Sequence, residues 1–173
     1  MTSAPTGPTV RAATIADADA VARIYNHYVK NTIVTFEEVP VSAADIAGRM
    51  ELVAVAALPW LVAELDRQLV GYAYAARWHA RAAYRFSAEV TVYVDSAHVG
   101  RRVGSHLYAA LFPMLRARGI HAVLGGIALP NEASVALHER CGLEKVAHLK
   151  EVGFKLGRWI DVGYWQRTLA DAP

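Results

Sequence analysis

The sequence predicts an α+β fold, a mixed α/β arrangement in which helices flank one central mixed sheet. Strand-like and helix-like segments follow one another as β-α-α-β-β-β-α-β-α-β-β, an order that brings parallel and antiparallel neighbours into one sheet. The 173 residues suffice for one compact domain and are too few for two well-packed ones. Over half of them are apolar and one fifth charged, so a substantial core can form without staples.

A short strand near residues 10–12 leads to Thr14, which with Asp17 three residues later makes a near capping box. Val21, Ile24, Tyr25 and Tyr28 then recur at helical spacing. Residues 31–41 are β-branched, hold Pro40 and read as a loop or short extended segment. Ser42 with Asp45 caps a second helix that stops before Pro59. Residues 60–65 and 69–76 make a hairpin around the polar Asp66-Arg67-Gln68 turn. A basic and aromatic connection over 77–85 precedes a strand over 89–95, rich in valine, threonine and tyrosine. Gly100 and Gly104 punctuate the chain before a helix over 105–118. A strand over 121–129, a helix over 131–140 stopped by Gly142, and strands over 143–151 and 155–167 complete the order. Residues 1–8 are small and polar and are expected to be flexible, leaving one domain over 9–170.

Eighteen basic against sixteen acidic residues give a net charge of +2, too even to point to a nucleic-acid or membrane partner. The single cysteine, Cys141, permits no internal disulfide and fits a reducing cytoplasm. The first residues lack the basic and apolar regions of a signal peptide. The most apolar region, 52–65, contains Pro59 and is far short of the ~20 residues of a membrane span. A cytoplasmic protein is expected. The seven histidines show no HExxH or paired-ligand spacing, so no metal site is expected.

The chemistry concentrates downstream of residue 88. A strand that runs through a glycine turn into a helix aims unpaired backbone N–H groups at one point, where the helix dipole favours phosphate. Gly100 and Gly104 equally serve a plain turn. The later run Asn131-Glu-Ala-Ser134-Val-Ala-Leu-His138-Glu-Arg-Cys-Gly142-Leu143 resembles the GNAT acetyltransferase pattern of an asparagine, a small residue, a polar side chain near the sulfur and a glycine. Further runs are Ile24-Tyr-Asn-His-Tyr28, Pro59-Trp-Leu-Val-Ala-Glu64, Ala88-Glu-Val-Thr-Val-Tyr-Val94 and Gly104-Ser-His-Leu-Tyr108. With Leu129-Pro-Asn131 and the stretch from Phe154 to Trp165, they resemble the phosphinothricin and methionine-sulfoximine N-acetyltransferases, over residues 10–167. One departure stands out. The family's pyrophosphate loop, R/Q-x-x-G-x-G/A, reads Val99-Gly-Arg-Arg102-Val-Gly104, with arginine at the first glycine and only Gly104 in register.

The resemblance implies acetyl-CoA as co-substrate, a small-molecule amine as acceptor, and a homodimer. It implies cofactor contacts from Val92, Tyr93 and Val94 on the strand, from Gly100, Arg101, Arg102, Val103, Gly104 and Ser105 in the loop, and from Asn131 and Ser134. It makes Glu89 the base that deprotonates the amine, where the residue alone reads as a surface glutamate paired with an arginine. It makes His138 the group that protonates the CoA thiolate or relays the amine proton; the alternative is a helix histidine bonded to Glu139 or to a backbone carbonyl. Cys141 reads as a small core residue rather than an acyl-enzyme nucleophile. Phe36, Trp78, His79, Arg81, Tyr84 and Arg85 form the expected acceptor set, because arginine binds a carboxylate bidentately and aromatic rings wall a methylene chain; otherwise residues 77–85 are a solvated basic loop.

Three functions compete. An amino-acid-analogue N-acetyltransferase acts on methionine sulfoximine, methionine sulfone or phosphinothricin, in detoxification or resistance. A GNAT enzyme for another small primary amine, such as a polyamine or an aminoglycoside, would want an acidic acceptor loop, whereas 77–85 hold three arginines and no acid. A non-catalytic acyl-CoA-binding module is kept open by Arg102 and opposed by the pairing of Glu89 with His138.

Overall fold

The computed structural model describes residues 7–169. The expected flexible start therefore falls, for residues 1–6, outside the described part, as does the expected domain end at residue 170. The strands are β1 (Thr9–Ala12), β2 (Trp60–Leu65), β3 (Gln68–Arg77), β4 (Ser87–Val94), β5 (Ala122–Leu129), β6 (Glu144–Lys155) and β7 (Arg158–Thr168). They form one sheet in the order β1-β2-β3-β4-β5-β7-β6. Four helices accompany it: α1 (Ala18–Asn31), α2 (Ala43–Val55), α3 (Val103–Ala117) and α4 (Glu132–Arg140). Only β4 and β5 run parallel; all other neighbours are antiparallel. The sheet is mixed, as the order of elements implied.

Period-2 alternation along the strands decides which helix covers which face. On β2, Trp60 and Val62 turn toward α1 and α2, while Leu61 and Ala63 lie under α3. Apolar spacing on α1 buries Val21, Ile24 and Tyr25. The α2 start is held as its sequence suggests: Ser42 N–H donates to Asp45 Oδ2 (2.8 Å) and Asp45 N–H to Ser42 Oγ (3.1 Å). No helix among the described residues is long and apolar enough to cross a membrane.

The two hairpins differ from expectation in instructive ways. Asp66 (φ 49°) and Arg67 (φ 64°) both take the left-handed conformation of a two-residue turn, so Gln68 pairs with Leu65 and belongs to β3 rather than to the turn. At the C-terminus the expected break between 151 and 155 is absent. β6 continues to Lys155, and the turn is Leu156-Gly157, again with both φ positive. Gly153 lies inside β6, where a Cβ would strike the Phe36 ring; this glycine marks a close approach, not a turn. A bulge between Leu149 and Gly153, with Glu151 at φ 52°, absorbs the extra residues.

The feature that positions the site is a parting of strands. β4 and β5 pair only at Ser87–Glu89 with Ala122–Leu124. Beyond that point β3 still covers the far edge of β4 to Val94, and β7 covers β5 to Leu129. The two central strands therefore diverge and leave a gap in the middle of the sheet.

Candidate active site

The ladder geometry tells which backbone groups face that gap. Asp95 N–H donates to the Val70 carbonyl (2.8 Å), and Ser87 O accepts from Trp78 N–H (3.4 Å). Odd-numbered residues of β4 thus turn their polar groups toward β3, and by alternation the N–H groups of Val90, Val92 and Val94 turn toward β5. The Val94 carbonyl is occupied by the Tyr28 hydroxyl. Past Glu89, where β5 has moved away, the Val92 and Val94 amides are donors aimed into the gap, the arrangement that stabilises a carbonyl oxygen as it gains charge.

A groove of about 560 Å³ opens beside them. Its floor includes the start of α3. The first helical bond runs from His106 N–H to Arg102 O (3.1 Å), so the N–H groups of Val103, Gly104 and Ser105 have no partner within the helix. Arg102 caps with no side-chain bond and takes φ 60°, ψ 16°. The arginine therefore adopts the left-handed conformation that glycine supplies freely, at ~1–2 kcal/mol. Gly100 is also left-handed, at φ 80°. Val92, Tyr93, Val94, Gly100, Arg102, Val103, Gly104, Ser105, Asn131 and Ser134 all line the groove; Arg101 is exposed and does not. Gly104 has a second task, since a Cβ there would lie 2.6 Å from Leu137 Cδ2, where α3 meets α4. Asn131 caps α4 by accepting the Ser134 N–H (3.2 Å).

Glu89 and His138 stand on opposite faces of the sheet. Glu89 shares its face with Tyr93 and the α1–α2 side; its neighbours Ala88 and Val90 turn toward α3. A cavity of about 200 Å³ in the gap is lined by both Glu89 and His138, together with Thr35, Tyr108 and Gly126. Burial pushes the Glu89 carboxyl above its ordinary range, and charge on nearby His79 draws it partly back. His138 is buried on the α3–α4 side, its Nδ1 2.7 Å from the Ser134 carbonyl and its Nε2 3.0 Å from the Tyr108 hydroxyl. Burial lowers the basicity of the ring. The backbone-carbonyl partner is the one the sequence offered as the structural alternative, and it coexists with a place at the cavity.

The expected acceptor set divides. Phe36 lines a pocket with Glu89, Val162 and Tyr164. Trp78 stands edge-on to Tyr164, with ring centres 5.4 Å apart. His79 packs between Trp78 and Tyr84 at 4.8 and 5.0 Å. Arg81, Tyr84 and Arg85 instead line a different cavity of about 370 Å³, with Arg77, Arg118 and His79. Arg85 is exposed, donating to the Ala82 carbonyl (3.2 Å) and lying over the Phe86 ring. The structure does not bring these arginines into the Glu89 pocket; His79 lines their cavity and lies within electrostatic reach of Glu89.

Comparison with known families gives a match to the acetyltransferase (GNAT) domain over residues 10–163, nearly the whole chain. This chain belongs to the GNAT acetyltransferase family. It is thereby an acetyl-CoA-dependent N-acetyltransferase. It is 41% identical to the phosphinothricin N-acetyltransferase of Streptomyces viridochromogenes, covering 91% of this chain and 86% of that one. It is 34% identical to the L-methionine sulfoximine/L-methionine sulfone acetyltransferase of Salmonella typhimurium, covering 93% and 94%. Among solved structures, a GNAT superfamily phosphinothricin acetyltransferase from Sinorhizobium meliloti in complex with AcCoA superposes with a TM-score of 0.91, at 34% identity over 94% of this chain and 89% of that one.

Several residues of this GNAT site escaped the sequence reading. Tyr108 ends the Gly104-Ser-His-Leu-Tyr108 run, which carried the resemblance without assigning it a role, and it is buried beside Leu107 and Leu111. Tyr164, within the stretch from Phe154 to Trp165, and Val34, within the 31–41 segment, were likewise given no role. Gly125 and Gly126 carried a usable signal: two glycines inside a strand mean a close approach on each face. A Cβ on Gly125 would lie 2.6 Å from His138 Nε2, and one on Gly126 3.1 Å from the Tyr164 ring and 3.5 Å from Glu89 Oε1.

Proposed function

We propose that this enzyme acetylates the α-amino group of small amino-acid analogues, with methionine sulfoximine, methionine sulfone and phosphinothricin as acceptors, in detoxification or resistance. The observation that carries this reading is the Glu89 carboxyl, held in a small pocket between Phe36 and Tyr164 at the edge of the gap onto which the Val92 and Val94 amides open. The groove along α3 fits acetyl-CoA by its donor set: open amides at Val103, Gly104 and Ser105 suit a pyrophosphate, and Asn131 and Ser134 flank the path toward the gap. Acetyl-CoA supplies the activated thioester.

Glu89 takes the proton of the ammonium, directly or through water; burial raises its basicity toward that task, a role usually worth ~10²–10⁴ in rate. The Val92 and Val94 amides hold the carbonyl oxygen as negative charge develops on it. Phe36, Trp78 and Tyr164 wall the methylene chain. An α-amino group and its carboxylate share one carbon, so the hydrogen-bond donor for that carboxylate is His79, within electrostatic reach of Glu89. Arg81 and Arg85, in the separate cavity that His79 also lines, then serve the far end of an acceptor that extends past His79, an end that is anionic in phosphinothricin and uncharged in the sulfoximine and the sulfone. The enzyme works as a cytoplasmic homodimer, for which the exposed Phe154 and Trp159 of the C-terminal hairpin offer an apolar face.

Thiol release with saturating acetyl-CoA and a panel of amines tests the reading. Turnover of the three amino-acid analogues is expected. Release with a polyamine or an aminoglycoside, and with none of the three, would overturn it.

A further inference from the structure

Acetyl transfer to an ammonium moves two protons, and Glu89 accounts for one. The ammonium gives up the first before nitrogen attacks. The tetrahedral adduct must lose a second from nitrogen, and the departing thiolate must gain one. The second proton needs a carrier close to both atoms.

The buried Tyr108–His138–Ser134 chain has the required polarity. A backbone carbonyl only accepts, so His138 Nδ1, 2.7 Å from Ser134 O, carries the ring hydrogen. Nε2 is then a bare lone pair, and the Tyr108 hydroxyl 3.0 Å away must donate to it. Tyr108 is wholly buried yet lines the same cavity as Glu89, from the opposite face of the sheet. Its remaining lone pairs are its only unused hydrogen-bonding capacity. The pair therefore offers the cavity an acceptor and no donor. It has to receive a proton before it can give one.

We propose that Tyr108 is a catalytic proton carrier acting in series with His138, moving the second proton from the acceptor nitrogen to the CoA sulfur. The inference rests on the acetyl-transfer reading above. In the first step the Tyr108 oxygen takes the N–H proton of the adduct while its own proton passes to His138 Nε2. The phenol stays neutral, and the imidazolium donates from both nitrogens, to Ser134 O and to Tyr108. As the C–S bond breaks, the sulfur takes a proton from Tyr108 and His138 Nε2 returns one to the phenol oxygen. Both side chains end as they began, one proton has moved from nitrogen to sulfur, and the Glu89 proton leaves separately on the other face. Burial pushes the phenol well above its ordinary range and the imidazole below its own. Phenolate is thereby excluded as a resting form, and the imidazolium surrenders its proton readily.

The test uses Tyr108→Phe, His138→Gln and the double variant, at saturating acetyl-CoA with methionine sulfoximine. Each single change is expected to lower kcat by about 10²-fold, within the range of lost acid–base catalysis, with acetyl-CoA Kd unchanged. Because the two groups act in series, the double variant should be no slower than the slower single one, whereas Tyr108→Phe combined with Glu89→Gln should multiply the losses. Parent-like turnover by Tyr108→Phe, or multiplied losses for Tyr108 with His138, would overturn the relay. If Tyr108→Phe binds acetyl-CoA poorly, the ¹⁵N spectrum of His138 in the parent decides: Nδ1 protonated is expected, Nε2 protonated overturns. A parent that acetylates none of the three acceptors would mark a failure of the acceptor reading rather than of the relay alone, because the relay is overturned only in a parent that turns over.

Discussion

Replacing Gly125 by alanine adds one methyl group where the structure has no room for it. The new Cβ would lie 2.6 Å from His138 Nε2 and 2.7 Å from Cδ2, so the ring must withdraw by about 0.8 Å to restore ordinary contact at 3.4 Å. It has little freedom to do so, being tied at Nδ1 to the Ser134 carbonyl and at Nε2 to Tyr108. Overpacking of this kind costs ~1–3 kcal/mol. For a chain of this size each kcal/mol lowers the melting midpoint by ~2–4 °C, which gives a fall of ~2–12 °C. Thermal unfolding followed by circular dichroism reads the first effect, and kcat with methionine sulfoximine reads the loss of the Tyr108–His138 bond. Gly48→Ala is the control. That exposed position in α2 has nothing within 4 Å of the added methyl, and the change should stabilise by ~0.5–1 kcal/mol. A Gly125→Ala variant that melts and turns over as the parent does would refute the placement of the imidazole against β5.

Gly104→Pro deletes one of three open amides at the start of α3 and crowds Leu137, so acetyl-CoA binding by calorimetry should weaken; an unchanged Kd would refute the pyrophosphate assignment. Arg81→Ala and Arg85→Ala should raise KM for phosphinothricin more than for methionine sulfoximine or the sulfone, because only phosphinothricin carries a second negative charge; equal rises would place these arginines elsewhere. Sedimentation should report a dimer, and Trp159→Lys, at an exposed position on the C-terminal hairpin, should shift it toward monomer; a monomeric parent would contradict the proposed assembly.

Much of this was legible from local signals. The Ser42–Asp45 capping box, the helical spacing of Val21, Ile24 and Tyr25, and the strand-turn-helix around Gly104 are each set by residues within a turn or two of one another. The expected cofactor contacts came from the family resemblance rather than from local pattern; all of them but Arg101 line one groove, and Arg102 takes the left-handed φ and ψ that leave the amides at the start of α3 open. What stayed hidden depends on tertiary arrangement. The alternation of β4 is the same whether its far edge is paired or open, so no pattern in residues 88–94 announces that β5 departs after Leu124. The break expected between 151 and 155 is absent because Gly153 continues β6 and accommodates the Phe36 ring, which lies more than a hundred residues upstream. Arg81 and Arg85 entered the acceptor set through the resemblance and the carboxylate-binding chemistry of arginine, whereas the connection over 77–86 carries them to a cavity that Glu89 does not line.

The pH dependence of Glu89→Gln against the parent tests the central claim most directly. The base works only when ionised, and burial raises its pKa, so parent kcat/KM should climb with pH through a window lying above the ordinary glutamate value. The variant should lack that limb, lose ~10²–10⁴ in turnover at neutral pH, keep its acetyl-CoA affinity, and recover toward the parent at high pH as the amine deprotonates unaided. Equal rates at neutral pH, or a deficit that stays constant as pH rises, would contradict the assignment of Glu89 as the base at the parting of β4 and β5.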